Sequence, residues 1–127
     1  MNVVDSSGWI EYFADEENAD FFAEPIEQTA DLIVPTVSIY EVFKHVLREE
    51  SRAEALEAVA YMKQGRVVEL SAPLAIKAAS TSHKLKLPMA DSMILTIARA
   101  YEAELWTQDV DFEVMDGVRY IRKNGNE

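Results

Sequence analysis

The sequence predicts an α/β domain with a parallel sheet covered by helices on both faces. Three observations carry this. Five short apolar runs rich in Val, Ile and Leu are spaced along the chain, and a fully buried parallel strand reads as such a run rather than as an alternation. Patterns of helical period fill the intervals between them, as βαβ units require. The 127 residues contain no internal repeat, low-complexity tract or linker. That length suits one domain, expected over 1–122 with a polar tail at 123–127.

Val3-Val4 runs straight into Asp5-Ser6-Ser7 and then into a helical pattern of Trp9, Ile10, Tyr12 and Phe13. A β-branched run that feeds a helix directly is expected to be a central strand. Asp5 at its carboxyl end stands where open α/β sheets hold ligands, but Asp is also a favoured helix N-cap. Taken alone, Asp5 reads as the cap. Glu16–Thr29 reads as a second helix, with Ala19, Phe22, Ala23 and Ile26 on one face. Pro25 interrupts it and predicts a kink or two short helices. Asp31–Pro35 is the second strand. Thr36 or Ser38 can cap the helix that runs to about Glu50, Ser51 opens the next over Arg52–Gln64, and Gly65 stops it. Val67–Leu70 is the third strand, and Pro73 begins a helix ending near Leu85. Pro88 precedes a helix from Met89 to about Ala103, and Glu104–Thr107 follows as the fourth strand. Asp116-Gly117 then turns the chain into a fifth strand, Val118–Ile121.

The formal net charge of −11 is uneven. Residues 1–43 hold ten acids and no Lys or Arg, whereas the remainder is nearly balanced. Most of the early acids lie from Glu11 to Asp31 and read as a solvated helical face. Such a face repels nucleic acid at long range, so any nucleic-acid contact needs local cations. The absence of cysteine excludes a disulfide framework and a thiolate zinc site. No apolar run approaches the roughly 18 residues that span a bilayer, and no basic region precedes an apolar leader. The expectation is a cytoplasmic protein with no membrane contact.

Four acids fall at element ends. In Val37–Arg48, the inward stripe is Ile39, Val42, Phe43 and Val46, which leaves Glu41 pointing away beside Lys44, His45 and Arg48. Glu41 is read either as a solvated partner of His45 one turn on or as the wall of a cleft whose bases hold a polyanion. Asp91 lies on the flank of the Ile94, Ile97, Ala98 and Tyr101 stripe. A carboxylate leaning inward must be paired, hydrogen-bonded or bound to metal; a structural acid steadied by the helix dipole and a ligand are equal readings. Asp109 and Asp111 follow the fourth strand, where acids often only form turns. Asp109, however, would leave the same sheet edge as Asp5. Carboxylates converging there repel one another and need a cation, and oxygen-only ligands point to Mg²⁺ or Mn²⁺. His45 and His83 sit on different helices outside any H-E-x-x-H pattern and read as surface residues. Neither a Gly-x-Ser-x-Gly elbow nor a glycine-rich phosphate loop occurs.

The strand end V-V-D-S-S, the helix S-I-Y-E-V-F, the run L-P-M-A-D-S-M-I-L-T-I-A and the segment L-W-T-Q-D-V-D-F resemble, in that order, the motifs of PIN-domain ribonucleases. The nearest likeness is to the single-domain VapC-type toxins of prokaryotic toxin–antitoxin pairs, and it covers essentially the whole chain. The resemblance implies a three-layer α/β/α fold with parallel strand order 3-2-1-4-5. It implies Asp5, Glu41, Asp91 and Asp109 as the catalytic, metal-binding acids, with Asp111 outside them or an occasional ligand. Ser6 and Thr107 match hydroxyl positions that orient an acid or a water. The implied activity is hydrolysis of RNA phosphodiester bonds by a water that Mg²⁺ or Mn²⁺ activates, with Lys44, His45 and Arg48 as candidates for holding RNA. The implied partners are a VapB-like antitoxin and a second copy in a homodimer. The early helices near Pro25 commonly help form the family's antitoxin groove. A phospho-accepting receiver domain would need an Asp at the end of the third strand, where Glu69-Leu70-Ser71-Ala72 stands. A catalytically silent PIN-like binding module is the other reading.

Overall fold

The computed structural model describes residues 1–123. The polar tail expected at 123–127 lies outside them except for Lys123. Five parallel strands, β1 (Asn2–Val4), β2 (Leu32–Pro35), β3 (Arg66–Val68), β4 (Glu104–Thr107) and β5 (Val118–Tyr120), form one sheet in the order β3-β2-β1-β4-β5. This is the order expected from the resemblance, with β1 at the centre. Val3 is opposite Ile33 on one side and Leu105 on the other, and Val4 is opposite Trp106. Six helices connect the strands: α1 (Ser6–Phe13), α2 (Ala19–Glu27), α3 (Thr36–Glu49), α4 (Arg52–Met62), α5 (Ala72–Leu85) and α6 (Met89–Ala100).

Successive strand residues face opposite sides of a sheet, and the two cores divide accordingly. Val3, Ile33, Val68 and Leu105 pack with Ile94, Leu95, Ile97 and Phe112. Val4, Leu32, Val34 and Trp106 pack on the other face with Trp9, Phe22, Ile26, Val42 and Met62. Gly8 is required by this second core. A Cβ there would stand 2.6 Å from the Phe22 ring and 2.7 Å from Val4 Cγ1.

Several expectations of detail are corrected. The second helix runs from Ala19 to Glu27 rather than from Glu16 to Thr29, and Pro25 does not split it. The proline falls in the last turn with its ring buried, so the helix simply ends two residues later. Neither Thr36 nor Ser38 caps α3. Its N-cap is Pro35, with no side-chain bond, and the Ser38 hydroxyl is buried without a partner. Ser51 does cap α4 as expected, but that helix ends at Met62, before Gly65. The sixth helix stops at Ala100 because Glu102 takes a left-handed conformation (φ 52°) that turns the chain into β4. Glu11 is no part of a solvated face: it is 3% exposed and hydrogen-bonded inside the protein, whereas Asp15, Glu16, Glu17, Asp20, Glu24, Glu27 and Asp31 are exposed. No helix among the described residues is long and apolar enough to cross a membrane.

Candidate metal centre

The carboxyl ends of β1 and β4 lie side by side, and Asp5 follows the first directly. Its backbone N–H donates to the Trp106 carbonyl at 3.1 Å, which extends the strand pairing to the acid. Asp5 is 3% exposed. The Asp5 side chain is both a cap and a component of the cleft. Oδ1 accepts the Gly8 N–H at 2.9 Å and the Ser7 hydroxyl at 3.0 Å, and Oδ2 accepts the Thr107 hydroxyl at 2.6 Å. A carboxylate offers about four lone-pair sites, so one on Oδ2 stays open. Burial pushes the Asp5 carboxyl up to about 6; the bonds from Thr107, Gly8 and Ser7 oppose that rise, and the Asp109 charge adds to it.

Thr107 Oγ1 also accepts the Asp109 N–H at 2.9 Å, so one buried hydroxyl ties Asp5 to the loop carrying Asp109. Asp109 Oδ1 in turn accepts the Asp111 N–H at 2.9 Å and caps a 3-10 turn over Val110–Phe112. Asp91 enters from the first turn of α6. One oxygen from each of Asp91, Asp109 and Asp111 lies within 4.8 Å of the others, close enough to share a cation. Asp111, expected outside the ligand set or in it occasionally, therefore stands in this tightest group; its spacing from Asp109 also fits the turn-forming role that the sequence alone suggested. Asp91 is pushed up to about 7, by burial first and then by Asp109, Asp5, Glu41 and Asp111.

Asp5, Glu41, Asp91 and Asp109 line one open cavity of about 370 Å³. Ser6 Oγ donates to Glu41 Oε1 at 2.6 Å, fixing that acid from α1. Lys44, His45 and Arg48, all on α3, line the same cavity. His45 is half-buried rather than a free surface residue, whereas His83 is exposed. Arg48 Nη2 lies 3.3 Å from His45 Nδ1, and its Nε donates to Glu49. Tyr40, Ser7 and Ile10 complete the lining. Tyr40 was not anticipated. It is 62% exposed, with the Lys44 ammonium 5.8 Å from its ring centroid. Its place one residue before Glu41 on a helix of known inward stripe was the available signal. The donors are all oxygen, and burial, with the charge of neighbouring acids added, raises the carboxyls of Asp5 and Asp91. This chemistry fits a hard divalent ion.

Comparison with known proteins gives the family. No curated protein matches the chain by sequence. Among solved structures, the fold is similar to a toxin–antitoxin complex from Klebsiella pneumoniae, with TM-score 0.78 at 19% identity, covering 94% of this chain and 96% of that one. It is also similar to VapC20 of Mycobacterium tuberculosis, a sarcin–ricin loop cleaving toxin (TM-score 0.77, 15% identity, 91% and 95% covered). A third likeness is to DNA-bound VapBC from Salmonella typhimurium (TM-score 0.73, 15% identity, 95% and 96% covered). The sequence pattern of the PIN domain matches residues 3–118. That span runs from within β1 to the first residue of β5 and takes in every acid of the cavity, and the chain belongs to the PIN domain family.

Proposed function

We propose that this chain is a Mg²⁺- or Mn²⁺-dependent endoribonuclease, the toxin of a toxin–antitoxin pair. The observation that carries the reading is the convergence of Asp5, Glu41, Asp91, Asp109 and Asp111, from four separate segments, at one rim. There Asp91 is pushed up to about 7 by burial and by the other four. Asp91, Asp109 and Asp111 would hold the ion, with Asp5 and Glu41 beside them. When bound, a divalent ion lowers the pKa of a coordinated water and offsets charge on a phosphate. The chain's own side chains do the rest. Thr107 and Ser6 fix Asp5 and Glu41 in place, and Lys44 and Arg48 offer cations to an RNA backbone that the acidic surface otherwise repels. The exposed Tyr40 ring offers a face on which a base can stack.

A second cavity of about 660 Å³ adjoins the first, and Ile10 and His45 line both. Phe13, Val46, Ala58 and Tyr61 supply apolar surface, and Glu49, Glu50, Glu54 and Glu57 supply acids. The Glu54 carboxyl is raised by a hydrogen bond to Glu50, by that acid's charge and by Glu57 nearby. Apolar surface among crowded acids suits a basic amphipathic segment of a VapB-like antitoxin. The test is cleavage of mixed RNA with Mn²⁺ by wild type, Asp5→Asn and Asp91→Asn. Cleavage by wild type alone, abolished by EDTA, is the expected result. Activity that survives both substitutions, or EDTA, defeats the proposal.

A further inference from the structure

Behind the acid cavity lies a second polar cluster that the proposed chemistry does not use. Glu11, on α1, is a carboxylate that is 3% exposed. Its Oε2 accepts the Asn18 backbone N–H at 3.0 Å, and its Oε1 accepts the Gln108 side-chain amide at 3.2 Å. Gln108 Oε1 then accepts from Asn18 Nδ2 at 2.9 Å, which closes a ring of three residues. Asn18 Nδ2 also donates to the Arg122 carbonyl at 3.2 Å, and Lys123 Nζ stands 3.9 Å from Glu11 Oε1. As a carboxylate, Glu11 can only accept. It therefore dictates which end of the Gln108 amide faces it, and Gln108 dictates the orientation of Asn18.

Gln108 lies between Thr107 and Asp109. The chain is extended there, with Asp109 at φ −84° and ψ 120°, and neighbours in extended chain point to opposite sides. Thr107 and Asp109 thus face the acids while Gln108 faces the ring. An apolar side chain would be easier to bury than an amide that needs two partners. What the closed ring adds is directional: it fixes the rotation of the β4 exit about its own axis. We propose that the Glu11–Gln108–Asn18 ring positions the β4 exit, and through it Asp109 and the Thr107–Asp5 bond, for the cation site. Its consequence for metal rests on the metal-centre reading, whereas its consequence for backbone position does not.

Swapping donor and acceptor tests this. Glu11→Gln sets an amide donor against either the Gln108 amide or the Asn18 N–H. Gln108→Glu sets two carboxylates against each other. In Glu11→Gln/Gln108→Glu every donor again meets an acceptor. The new amide at position 11 donates to the carboxylate at 108 and accepts the Asn18 N–H, and the Asn18 side chain donates to that carboxylate. The Lys123 contact with position 11, at 3.9 Å the longest of the cluster, is lost in the swap. Gln108→Met is a variant built to fold, since Glu11 keeps Lys123 and Asn18 keeps the Arg122 carbonyl. Two quantities are read: the amide resonances of Asp109 and Asp111 in metal-free protein, and Mn²⁺ affinity. Each single variant should displace both resonances and weaken Mn²⁺ binding roughly 10-fold or more, as loss of an outer partner of a metal site does. The double swap should return the resonances and bring affinity to within about 3-fold of wild type. Single variants that melt lower yet keep both resonances and the affinity would make the ring merely structural and overturn the proposal, as would a double swap no better than its components. Should wild type itself bind no Mn²⁺, the metal-centre reading fails, and the resonances alone still decide the positioning role.

Discussion

Asp91→Asn should make the metal-free protein more stable at neutral pH while removing its use for a cation. The Asp91 carboxyl is raised from 3.8 to about 7, chiefly by burial and then by the four acids around it. An acid whose folded pKa lies above its unfolded one favours the fold when protonated. Its contribution is complete below about pH 3.8 and is lost as pH rises through about 7, because the unfolded chain releases a proton that the folded chain retains. At 1.36 kcal/mol per pH unit the full gap amounts to about 4 kcal/mol. Asp91 keeps part of its surface in water, where screening roughly halves this, to about 2 kcal/mol. In a domain of this size each kcal/mol moves the melting point by about 3–5 °C, so the variant should melt roughly 6–10 °C above wild type at about pH 8 in EDTA. Near pH 4 the difference should almost vanish. Saturating Mn²⁺ should then invert the order at pH 8, since only the wild type gains from binding. A variant that melts at or below wild type at pH 8 in EDTA would show that the carboxylate costs the fold nothing, and the reasoning from crowded acids would be wrong.

Gly8→Ala should cost roughly 2–3 kcal/mol in urea unfolding, because the added methyl meets the Phe22 ring and Val4 inside the core; an unchanged midpoint would contradict the packing described. Thr107→Val removes the strongest of the bonds that hold the Asp5 pKa down, so an NMR titration should find the Asp5 midpoint above its present value of about 6, with Thr107→Ser restoring it. Tyr40→Ala should raise KM for single-stranded RNA about 10-fold with little change in kcat, and Tyr40→Trp should not. Lys44→Ala should reduce the slope of log affinity against log salt for RNA by about 1, measured by fluorescence anisotropy in Ca²⁺.

The types and sequence of the elements were legible because β-branched runs and helical periodicity are local signals. Strand order was not: parallel pairing leaves no mark within a strand, and 3-2-1-4-5 came only from the resemblance. Element ends failed where backbone geometry outweighed side-chain chemistry. Pro35 begins α3 although two hydroxyl residues follow it, and the left-handed Glu102 ends α6 inside an apolar run. At the cavity, Asp5, Glu41, Asp91 and Asp109 could each be placed at an element end, and they do meet. The inward turn of Glu11 is not legible in the sequence, because a run of charge says nothing about which member turns inward. Its partners, at positions 18 and 108, come from another segment and from the far end of the chain. Tyr40 carries no signal of its surroundings, because only the assembled wall of the cavity shows what its exposed ring stands beside.

Because β1 is central and β4 pairs directly with it, the acids are dispersed across nearly the entire length of the polypeptide. A ribosome has made residues 1–103 before any of β4 exists, and up to that point the nascent chain carries Asp5, Glu41 and Asp91 with nothing opposite them. Under the nuclease reading, the proposed cation site stays incomplete until the segment that begins at Glu104 has joined the sheet beside β1 and brought Asp109 and Asp111 to Asp91.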